Sequence, residues 1–210
     1  MTPVPFVIKI CGITNEDDAR VAVDAGANAL GFNFYPASPR AIVPLGARQI
    51  IDAIDKPFLK VGVFVNPSLQ QLVEAGARAN LDVFQLHGEI YPSRIPQGYK
   101  VWRAVSATSA IHDRERADAY VIDAPTPRHG GSGEVFDWSL AAKFPDPKII
   151  AGGLAADNVG AAIEKTRPWG VDACSRLESR PGKKEAGRVR DFVRAALAAF
   201  ERRKHQSAGT

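Results

Sequence analysis

The stretch Lys9-Ile10-Cys11-Gly12-Ile13-Thr14 places a single thiol where an apolar run, which begins at Val7, breaks at a glycine. The run is typical of a buried strand, and the glycine after the thiol indicates a turn. Parallel-barrel enzymes present their chemistry in this way, because their catalytic groups lie at the carboxyl ends of the strands. A free cysteine is also a common small core residue, so the rest of the chain must decide between the two interpretations.

The same kind of apolar run recurs seven more times along the chain, and stretches with helical spacing separate most of the runs. The runs are rich in Val, Ile and Phe, which favour strands. The predicted strands are residues 6–11, 29–34, 59–66, 81–87, 100–106, 119–123, 148–152 and 170–175. The predicted helices are residues 17–25, 47–53, 68–77, 140–144, 156–164 and 185–200. The helical patterns after the fourth and fifth strands are weak.

Strands that alternate with helices predict crossover connections and a parallel sheet. Burial of both faces of such a sheet explains why the strands are almost continuously apolar. Eight units without a dinucleotide-binding glycine fingerprint favour a closed (β/α)8 TIM barrel over an open sheet. No linker or shift in composition divides the chain. We therefore expect one α/β domain over residues 1–203 and a disordered tail over residues 204–210.

The composition argues against several classes of protein. Lys and Arg number 27 against 23 Asp and Glu, and much of this small excess is clustered at residues 202–205. A helix end explains the cluster better than a nucleic-acid contact, because basic side chains stabilise helix carboxyl termini. No segment resembles a signal peptide or a membrane span, and the two cysteines form neither a CxxC pair nor a metal-binding pattern. We expect a cytoplasmic protein that binds neither nucleic acid nor membrane.

A carboxylate ends the sixth predicted strand as the thiol ends the first. Asp123 follows the apolar run Tyr120-Val121-Ile122, where it would otherwise serve only to cap the next turn. In a closed barrel both groups lie at the mouth, with Asp123 across it from Cys11 and from residues 172–175 of the neighbouring eighth strand. A thiolate can accept a proton from carbon, and a carboxylic acid can donate one to oxygen. Cys11 and Asp123 are therefore a candidate base and acid.

Small residues follow three consecutive strands. Gly130-Gly131-Ser132-Gly133 comes after the sixth strand, Gly152-Gly153 ends the seventh, and Ser175 ends the eighth. Parallel barrels often bind a phosphate at the loops after strands seven and eight, where backbone N–H groups converge and side chains would obstruct the approach. Their joint placement predicts a phosphorylated ligand.

Together these motifs resemble those of the phosphoribosylanthranilate isomerase family, in order and over nearly the whole chain. The segments that carry the resemblance are Lys9-Ile10-Cys11-Gly12-Ile13-Thr14, Leu30-Gly31-Phe32, Ser38-Pro39-Arg40, Val61-Gly62-Val63-Phe64, Gln85-Leu86-His87-Gly88, Ile122-Asp123, Gly130-Gly131-Ser132-Gly133, Phe136-Asp137-Trp138, Ala151-Gly152-Gly153-Leu154 and Glu178-Ser179-Arg180-Pro181-Gly182. The resemblance implies a (β/α)8 isomerase of tryptophan biosynthesis. Such an enzyme converts N-(5′-phosphoribosyl)anthranilate to 1-(2-carboxyphenylamino)-1-deoxyribulose 5-phosphate by an Amadori rearrangement.

The resemblance also implies roles for individual residues. Cys11 would be the general base and Asp123 the general acid, without a metal or an organic cofactor, because the substrate's own nitrogen is the electron sink. Arg40 would face the anthranilate carboxylate, and His87 would shape the pocket. The implied substrate-binding residues are Arg40, His87, Gly131, Gly133, Gly152, Gly153, Asp172, Ser175 and Arg176. We expect a small phosphorylated substrate and either a monomer or a homodimer.

Two positions depart from the family pattern Asp-Val-Ser-Ser-Gly-Val-Glu. Arg176 replaces the glycine beside the expected phosphate, where it either adds a cation or alters the site. Cys174 replaces a serine and is a conservative change. A separate expectation concerns Lys9, which shares strand parity with Cys11. A lysine that points into the barrel needs an acidic partner, such as Asp172.

Three other functions are compatible with parts of the pattern. One is another phosphosugar isomerase, such as the related histidine-pathway enzyme, which uses two aspartates; Cys11 in place of the first argues against it. Another is a barrel that binds a phosphorylated ligand without catalysis, for which Arg176 is the one indication. The last is a thiol redox protein, against which the missing CxxC pair argues.

Overall fold

The computed structural model describes residues 5–89, 92, 94–106, 117–123, 139–142 and 144–208. Eight parallel strands pair in chain order, and the eighth pairs with the first, so the sheet is a closed barrel. The strands of the barrel are β1 (Val7–Cys11), β2 (Ala29–Asn33), β3 (Leu59–Val65), β4 (Val83–His87), β5 (Lys100–Ser106), β6 (Ala119–Asp123), β7 (Lys148–Ala151) and β8 (Gly170–Ala173). The predicted (β/α)8 fold is confirmed.

Helices follow six of the eight strands in the described part of the chain. They are α1 (Glu16–Ala25), α2 (Pro44–Asp52), α3 (Leu69–Ala79), α4 (Ser139–Ala142), α5 (Val159–Thr166) and α6 (Ala186–Ala208). Among the described residues between β4 and β6 none is helical, which agrees with the weak helical patterns there. After β8 a short 3-10 turn (Ser175–Leu177) leads into a two-stranded ladder of β9 (Glu178–Arg180) and β10 (Lys183–Lys184).

The helix ends follow from local sequence. Asn15 caps α1 by accepting a hydrogen bond from the N–H of Asp18, and Gly26 ends that helix with a φ of 109° that a glycine adopts without strain. Ser68 and Gln71 form a reciprocal capping box at the start of α3. These signals place α1 and α3 directly after the strand-end loops that line the barrel mouth.

Side chains that point into the barrel form layers along its axis. Near the amino ends of the strands the filling is apolar and includes Val7 and Trp102. Lys9, two residues beyond Val7 on the same face of β1, lies in register with Asp172 of β8. Cys11 comes two residues later still. Cys11 therefore lies at the carboxyl end of the barrel, one layer beyond Lys9 and Asp172.

The last helix continues beyond the predicted domain end. Residues 204–208, for which we expected disorder, are helical, and Gly209 and Thr210 lie outside the described residues. Lys204 lies 5.1 Å from the ring centroid of Phe6 and bonds Glu201 at 2.6 Å, so this turn has contacts that composition does not reveal. In the part of the chain that the structure describes, no helix is both long and apolar enough to span a membrane.

Candidate active site

A cavity of about 350 Å³ opens at the carboxyl ends of the barrel strands. It is lined by every predicted site residue that the structure describes: Cys11, Arg40, His87, Asp123, Gly152, Gly153, Asp172, Ser175 and Arg176. The remaining two, Gly131 and Gly133, lie outside the described residues. A larger groove of about 560 Å³ beside α2 and α3 is mainly apolar and contains neither Cys11 nor Asp123. The smaller cavity is therefore the candidate active site.

Lys9 and Cys11 converge on the space in front of Gly31, the residue of β2 that is in register with Cys11. A Cβ atom at Gly31 would lie 2.8 Å from Sγ of Cys11 and 3.0 Å from Nζ of Lys9, which is closer than ordinary side-chain contacts. Glycine at this position leaves room for the sulfur and the ammonium together.

The Lys9 ammonium is wholly buried and is paired with a carboxylate across the line where the barrel closes. Its Nζ donates to Oδ2 of Asp172 at 2.7 Å, so the predicted pairing is confirmed. Burial opposes the charge of Lys9, but the attraction of Asp172 and Cys11 outweighs burial and raises the lysine pKa. Burial raises the pKa of Asp172 to about 7, because it outweighs the attraction of Lys9. Among the described residues, Oδ1 of Asp172 is buried without a hydrogen-bond partner.

Cys174 lies just after β8, beside Cys11. Its S–H has two acceptors within reach, the Cys11 sulfur and, at 3.9 Å, Oε1 of Glu178. The contact between the two thiols, with the charges of Lys9 and Lys184, lowers the pKa of Cys11 although burial opposes the anion. The same contact, with burial and the charge of Cys11, raises the pKa of Cys174. The two pKa shifts are opposite, and they favour the thiolate at Cys11 and the protonated thiol at Cys174.

Asp123 ends β6 and reaches the cavity from the far side of β7 and β8. Part of the residue is exposed to solvent. The surrounding protein nevertheless removes enough water from the carboxyl group to raise its pKa, and the negative charge of Cys11 raises it further. The pKa of Asp123 thus moves in the direction opposite to that of Cys11.

Arg40 enters the cavity from the loop after β2 and is held by Glu178 through two hydrogen bonds. Its Nε donates to Oε1 at 2.8 Å and its Nη2 donates to Oε2 at 2.6 Å. Nζ of Lys184 donates to the same Oε1 at 3.0 Å. Burial opposes ionisation of Glu178, but these hydrogen bonds prevail and lower its pKa. Glu178 therefore fixes the guanidinium in the cavity wall. The role predicted for Arg40 toward a carboxylate stays a prediction.

His87 ends β4, and its ring contacts Gln85 of the same strand, with 2.9 Å between the two Nε2 atoms. Burial lowers the pKa of His87, so the imidazole is neutral at about pH 7. If the Gln85 amide donates, Nε2 of His87 accepts and Nδ1 carries the ring proton. Within the described residues, Oε1 of Gln85 is buried without a hydrogen-bond partner.

The loop after β7 uses glycine for its backbone shape. Gly152 and Gly153 have φ angles of 87° and 61°, in the left-handed region that glycine favours. The carbonyl of Gly153 accepts hydrogen bonds from Nδ2 of Asn158 at 3.0 Å and from Nη1 of Arg176 at 3.1 Å. These contacts fix the loop beside the 3-10 turn that begins at Ser175.

The guanidinium of Arg176 is engaged with the protein at the rim of the cavity. Its Nη2 and Nη1 donate to Asp157 at 2.7 Å and 3.0 Å. The two side chains are 43% and 65% exposed, and ion pairs of this kind contribute little to stability. Arg176 thus links the loops after β7 and β8. A contact between Arg176 and a phosphate stays a prediction.

Sequence reasoning did not single out Gln85, Lys184 or the contact that Glu178 makes with Arg40. Gln85 lies two residues before His87 on the same face of β4, and this spacing could have identified it from the sequence. Lys184 belongs to β10, outside the barrel strands, so no strand-end rule identifies it. Within the described residues, no group of three or more His, Cys, Asp or Glu side chains is arranged to hold a metal ion.

Comparison with known proteins identifies the family. Residues 8–195 match the family model described as N-(5′-phosphoribosyl)anthranilate isomerase. The isomerase of Solibacter usitatus is 46% identical over 200 residues, which cover 93% of this chain and 99% of that protein. The crystal structure of the Thermotoga maritima enzyme superposes with a TM-score of 0.83 at 37% identity, covering 92% of this chain and 99% of that one.

A crystal structure of a phosphoribosylanthranilate isomerase in complex with reduced 1-(o-carboxyphenylamino)-1-deoxyribulose 5-phosphate is also similar. Its TM-score is 0.77 at 35% identity, and the match covers 92% of this chain and 99% of that one. The similarity thus extends over the barrel and over the strand ends that form the cavity. The chain belongs to the phosphoribosylanthranilate isomerase family.

Proposed function

We propose that the chain converts N-(5′-phosphoribosyl)anthranilate to 1-(2-carboxyphenylamino)-1-deoxyribulose 5-phosphate in tryptophan biosynthesis, with Cys11 as general base and Asp123 as general acid. Family membership supports the reaction, as does the relative that binds a reduced form of the product. One observation carries the residue assignment. A single cavity holds a thiol whose pKa is lowered and a carboxyl group whose pKa is raised.

The acid acts first. Opening the ribose ring requires a proton on the ring oxygen while the anilino nitrogen forms a double bond to the anomeric carbon. Asp123 donates that proton, and the C–O bond breaks to leave a hydroxyl group and a protonated imine. The carboxylate that remains is then able to accept a proton later in the cycle.

The base acts second. The protonated imine makes the adjacent C–H acidic, because its positive nitrogen accepts the electron pair that the C–H bond releases. The Cys11 thiolate takes this proton and leaves an enolamine, which tautomerises to the ketone. Every electron pair stays within the substrate, so the proposed route uses no cofactor.

The pKa shifts bring both groups towards the protonation states that this route needs. An ordinary thiol, with a pKa of about 8.5, and an ordinary aspartate, at about 3.9, would each be in the unproductive state near neutral pH. The cavity shifts the two pKa values towards each other. We expect kcat/KM to rise with pH as Cys11 loses its proton and to fall as Asp123 loses its proton, and a pH titration of kcat/KM measures both limbs.

The polar groups of the cavity wall suit the remainder of the substrate. We assign the anthranilate carboxylate to Arg40, whose Nη1 is not used in the contact with Glu178. His87 borders the same space as a neutral group. Oδ1 of Asp172 suits a ribose hydroxyl, because a hydroxyl donor would satisfy a buried acceptor that has no partner among the described residues.

The phosphate belongs, in this proposal, to backbone N–H groups at Gly152, Gly153 and the turn at Ser175, with Gly131 and Gly133 as further donors. The left-handed glycines support this assignment, because a backbone without side chains lets an anion approach closely. Arg176 already binds Asp157, so we assign it a minor share.

We further propose that the enzyme is cytoplasmic and acts as a monomer or a homodimer. A crystal structure of monomers generated from the Thermotoga maritima isomerase, 35% identical to this chain, describes the parent enzyme as dimeric. Sedimentation of the purified protein over a range of concentrations distinguishes the two states.

The direct test follows the fluorescence of N-(5′-phosphoribosyl)anthranilate as the purified chain consumes it. We expect consumption in proportion to enzyme concentration, together with a ketose product of unchanged mass. The double variant Cys11→Ala/Asp123→Asn serves as the control for spontaneous decay of the substrate. If the natural chain binds the substrate but consumes it no faster than this control, the protein is a phosphosugar-binding barrel and the proposal is wrong.

A further inference from the structure

In the described strands of the barrel, a charged layer of Lys9 and Asp172 lies between an apolar layer and the open part of the cavity, which Asp172 itself helps to line. Lys9 is 0% exposed and Asp172 is 7% exposed. Removing an ion pair from water is costly, and well-packed apolar side chains, such as Val7 in the layer below, fill such a space at least as stably. A charged pair at this depth is therefore poorly explained by packing alone.

The position of the ammonium relates it to the sulfur of Cys11. Both atoms lie within 3.0 Å of the point where a Cβ of Gly31 would stand, so they are within about 6 Å of each other. At that separation an opposite charge stabilises an anion appreciably, and more so in the protein interior than in water.

We propose that Lys9 is a positioning residue of the isomerase, whose buried ammonium, anchored by Asp172, holds the sulfur of Cys11 as an anion in the resting enzyme. The inference rests on the proposed function insofar as Cys11 is the general base. Lys9 acts through Cys11 and need not touch the substrate.

Several other groups face Cys11, and they must be weighed against Lys9. They are Asp172 of β8, Cys174 after β8, Lys184 of β10, Asp123 of β6, His87 of β4 and Arg40 of the loop after β2. Lys184 and Arg40 are cations, but both donate to Glu178, which offsets their charge. His87 is neutral, and Asp172 and Asp123 oppose a second negative charge.

Cys174 is the strongest rival source of stabilisation, because its S–H lies within reach of the sulfur. A neutral S–H is a weak donor, whereas Lys9 supplies a full positive charge that its raised pKa keeps protonated. The two contributions are separable by substitution.

The test measures the rate at which iodoacetamide alkylates Cys11 as a function of pH, resolved from Cys174 by peptide mass spectrometry. Only the thiolate reacts, so the midpoint of the curve reports the pKa of Cys11 without any substrate. We expect Lys9→Met to raise the midpoint by about 1 to 3 pH units. The acid limb of kcat/KM should move by a similar amount. Lys148→Met removes a buried lysine at the amino end of β7, far from Cys11, and should leave both curves unchanged.

A second variant covers the possibility that Lys9→Met does not fold. Lys9→Met/Asp172→Asn removes both charges of the pair, so no unpaired carboxylate remains in the barrel, and the alkylation midpoint should still rise. An unchanged midpoint in either folded variant overturns the inference and leaves Cys174 as the main source of stabilisation. If the midpoint shifts but the natural chain has no isomerase activity, the proposed function fails and the electrostatic role of Lys9 stands.

Discussion

The two groups that we propose as base and acid lie in one cavity, but the protein surrounds them differently. Cys11 is surrounded by specific partners: the S–H of Cys174, the buried ammonium of Lys9 and the charge of Lys184. Asp123 has a raised pKa for a simpler reason, the loss of surrounding water, to which the charge of Cys11 adds. The surroundings of Cys11, the base side, act on its pKa through specific contacts. The surroundings of Asp123, the acid side, act on its pKa mainly by removing water.

The difference follows from chemistry. Loss of surrounding water raises the pKa of a carboxyl group and so favours its protonated form, but the same loss acts against a thiolate. A buried thiolate therefore needs donors and cations that outweigh burial. The coupling also works in both directions, because the negative charge of Cys11 raises the pKa of Asp123. We expect the base side to respond to single neighbouring residues and the acid side to respond mainly to hydration.

The largest effects are expected when either Cys11 or Asp123 is removed. Cys11→Ala and Asp123→Asn should each reduce turnover by at least about 100-fold, because proton removal from carbon and proton delivery to oxygen are separate steps. Steady-state kinetics with N-(5′-phosphoribosyl)anthranilate measure the loss, and Lys148→Met provides a control with both groups intact. A variant that retains nearly natural turnover excludes the substituted residue from the mechanism.

The crowding at Gly31 tests the base side alone. In Gly31→Ala the new methyl group would lie 2.8 Å from the Cys11 sulfur and 3.0 Å from Nζ of Lys9, so both must shift. We expect kcat to fall by about tenfold to 100-fold, in line with the effect of small displacements of reacting groups.

Gly160→Ala is the matched control, because its methyl group would meet only Nη2 of Arg202, at 3.7 Å. This helical position should gain up to about 1 kcal/mol of stability with unchanged kcat. Equal activity in the two alanine variants would mean that the space before Gly31 has no role in catalysis.

Selective alkylation tests whether the two thiols differ as their pKa shifts indicate. At about pH 7, iodoacetamide should label Cys11 at least about tenfold faster than Cys174, because the pKa of Cys11 is lowered and that of Cys174 is raised. A product analogue should protect Cys11. Mass spectrometry of the labelled peptides gives both rates. Equal rates without protection would indicate that Cys11 is an ordinary buried thiol.

The smallest effect is expected at Arg176, which lies at the rim of the cavity and belongs to neither the base side nor the acid side. Arg176→Gly restores the residue common in the family and should change KM by less than about fivefold, because an exposed ion pair contributes only about 0.2 to 1 kcal/mol. Asp157→Asn removes the partner of Arg176 and should have the same small effect. A tenfold rise in KM for Arg176→Gly but not for Asp157→Asn would instead identify a direct phosphate contact.

The fold could be predicted well from the sequence, because strands buried on both faces give apolar runs that stand out from their surroundings. The predicted strands at residues 100–106 and 119–123 agree with β5 and β6 at both ends. The pairing of Lys9 with Asp172 was also predictable. Strand parity directs Lys9 inward, and closure of the barrel brings the first and eighth strands together.

The contacts made by loops could not be predicted in the same way. Arg40 meets Glu178 across 138 positions of sequence, and no periodicity relates a loop after β2 to a strand after β8. The contact of Cys174 with Cys11 was missed for another reason: a cysteine in the place of a serine suggests a neutral replacement. Only the structure places its sulfur beside the base. Regular elements are encoded locally, whereas the electrostatics of the base depend on where distant loops meet.

The ion pair between Lys9 and Asp172 joins residues 163 positions apart, and this separation has a consequence for the newly made protein. A ribosome adds about 5 to 20 residues per second, so Cys11 emerges roughly ten to thirty seconds before Asp172 and Cys174 exist. During that interval β1 has no β8 to pair with, and its cysteine has neither the neighbouring thiol nor an anchored ammonium. The nascent chain therefore carries an ordinary thiol. Its reactive anion arises only when β8 closes the barrel, so the order of synthesis delays the appearance of a reactive sulfur until the last barrel strand has been made.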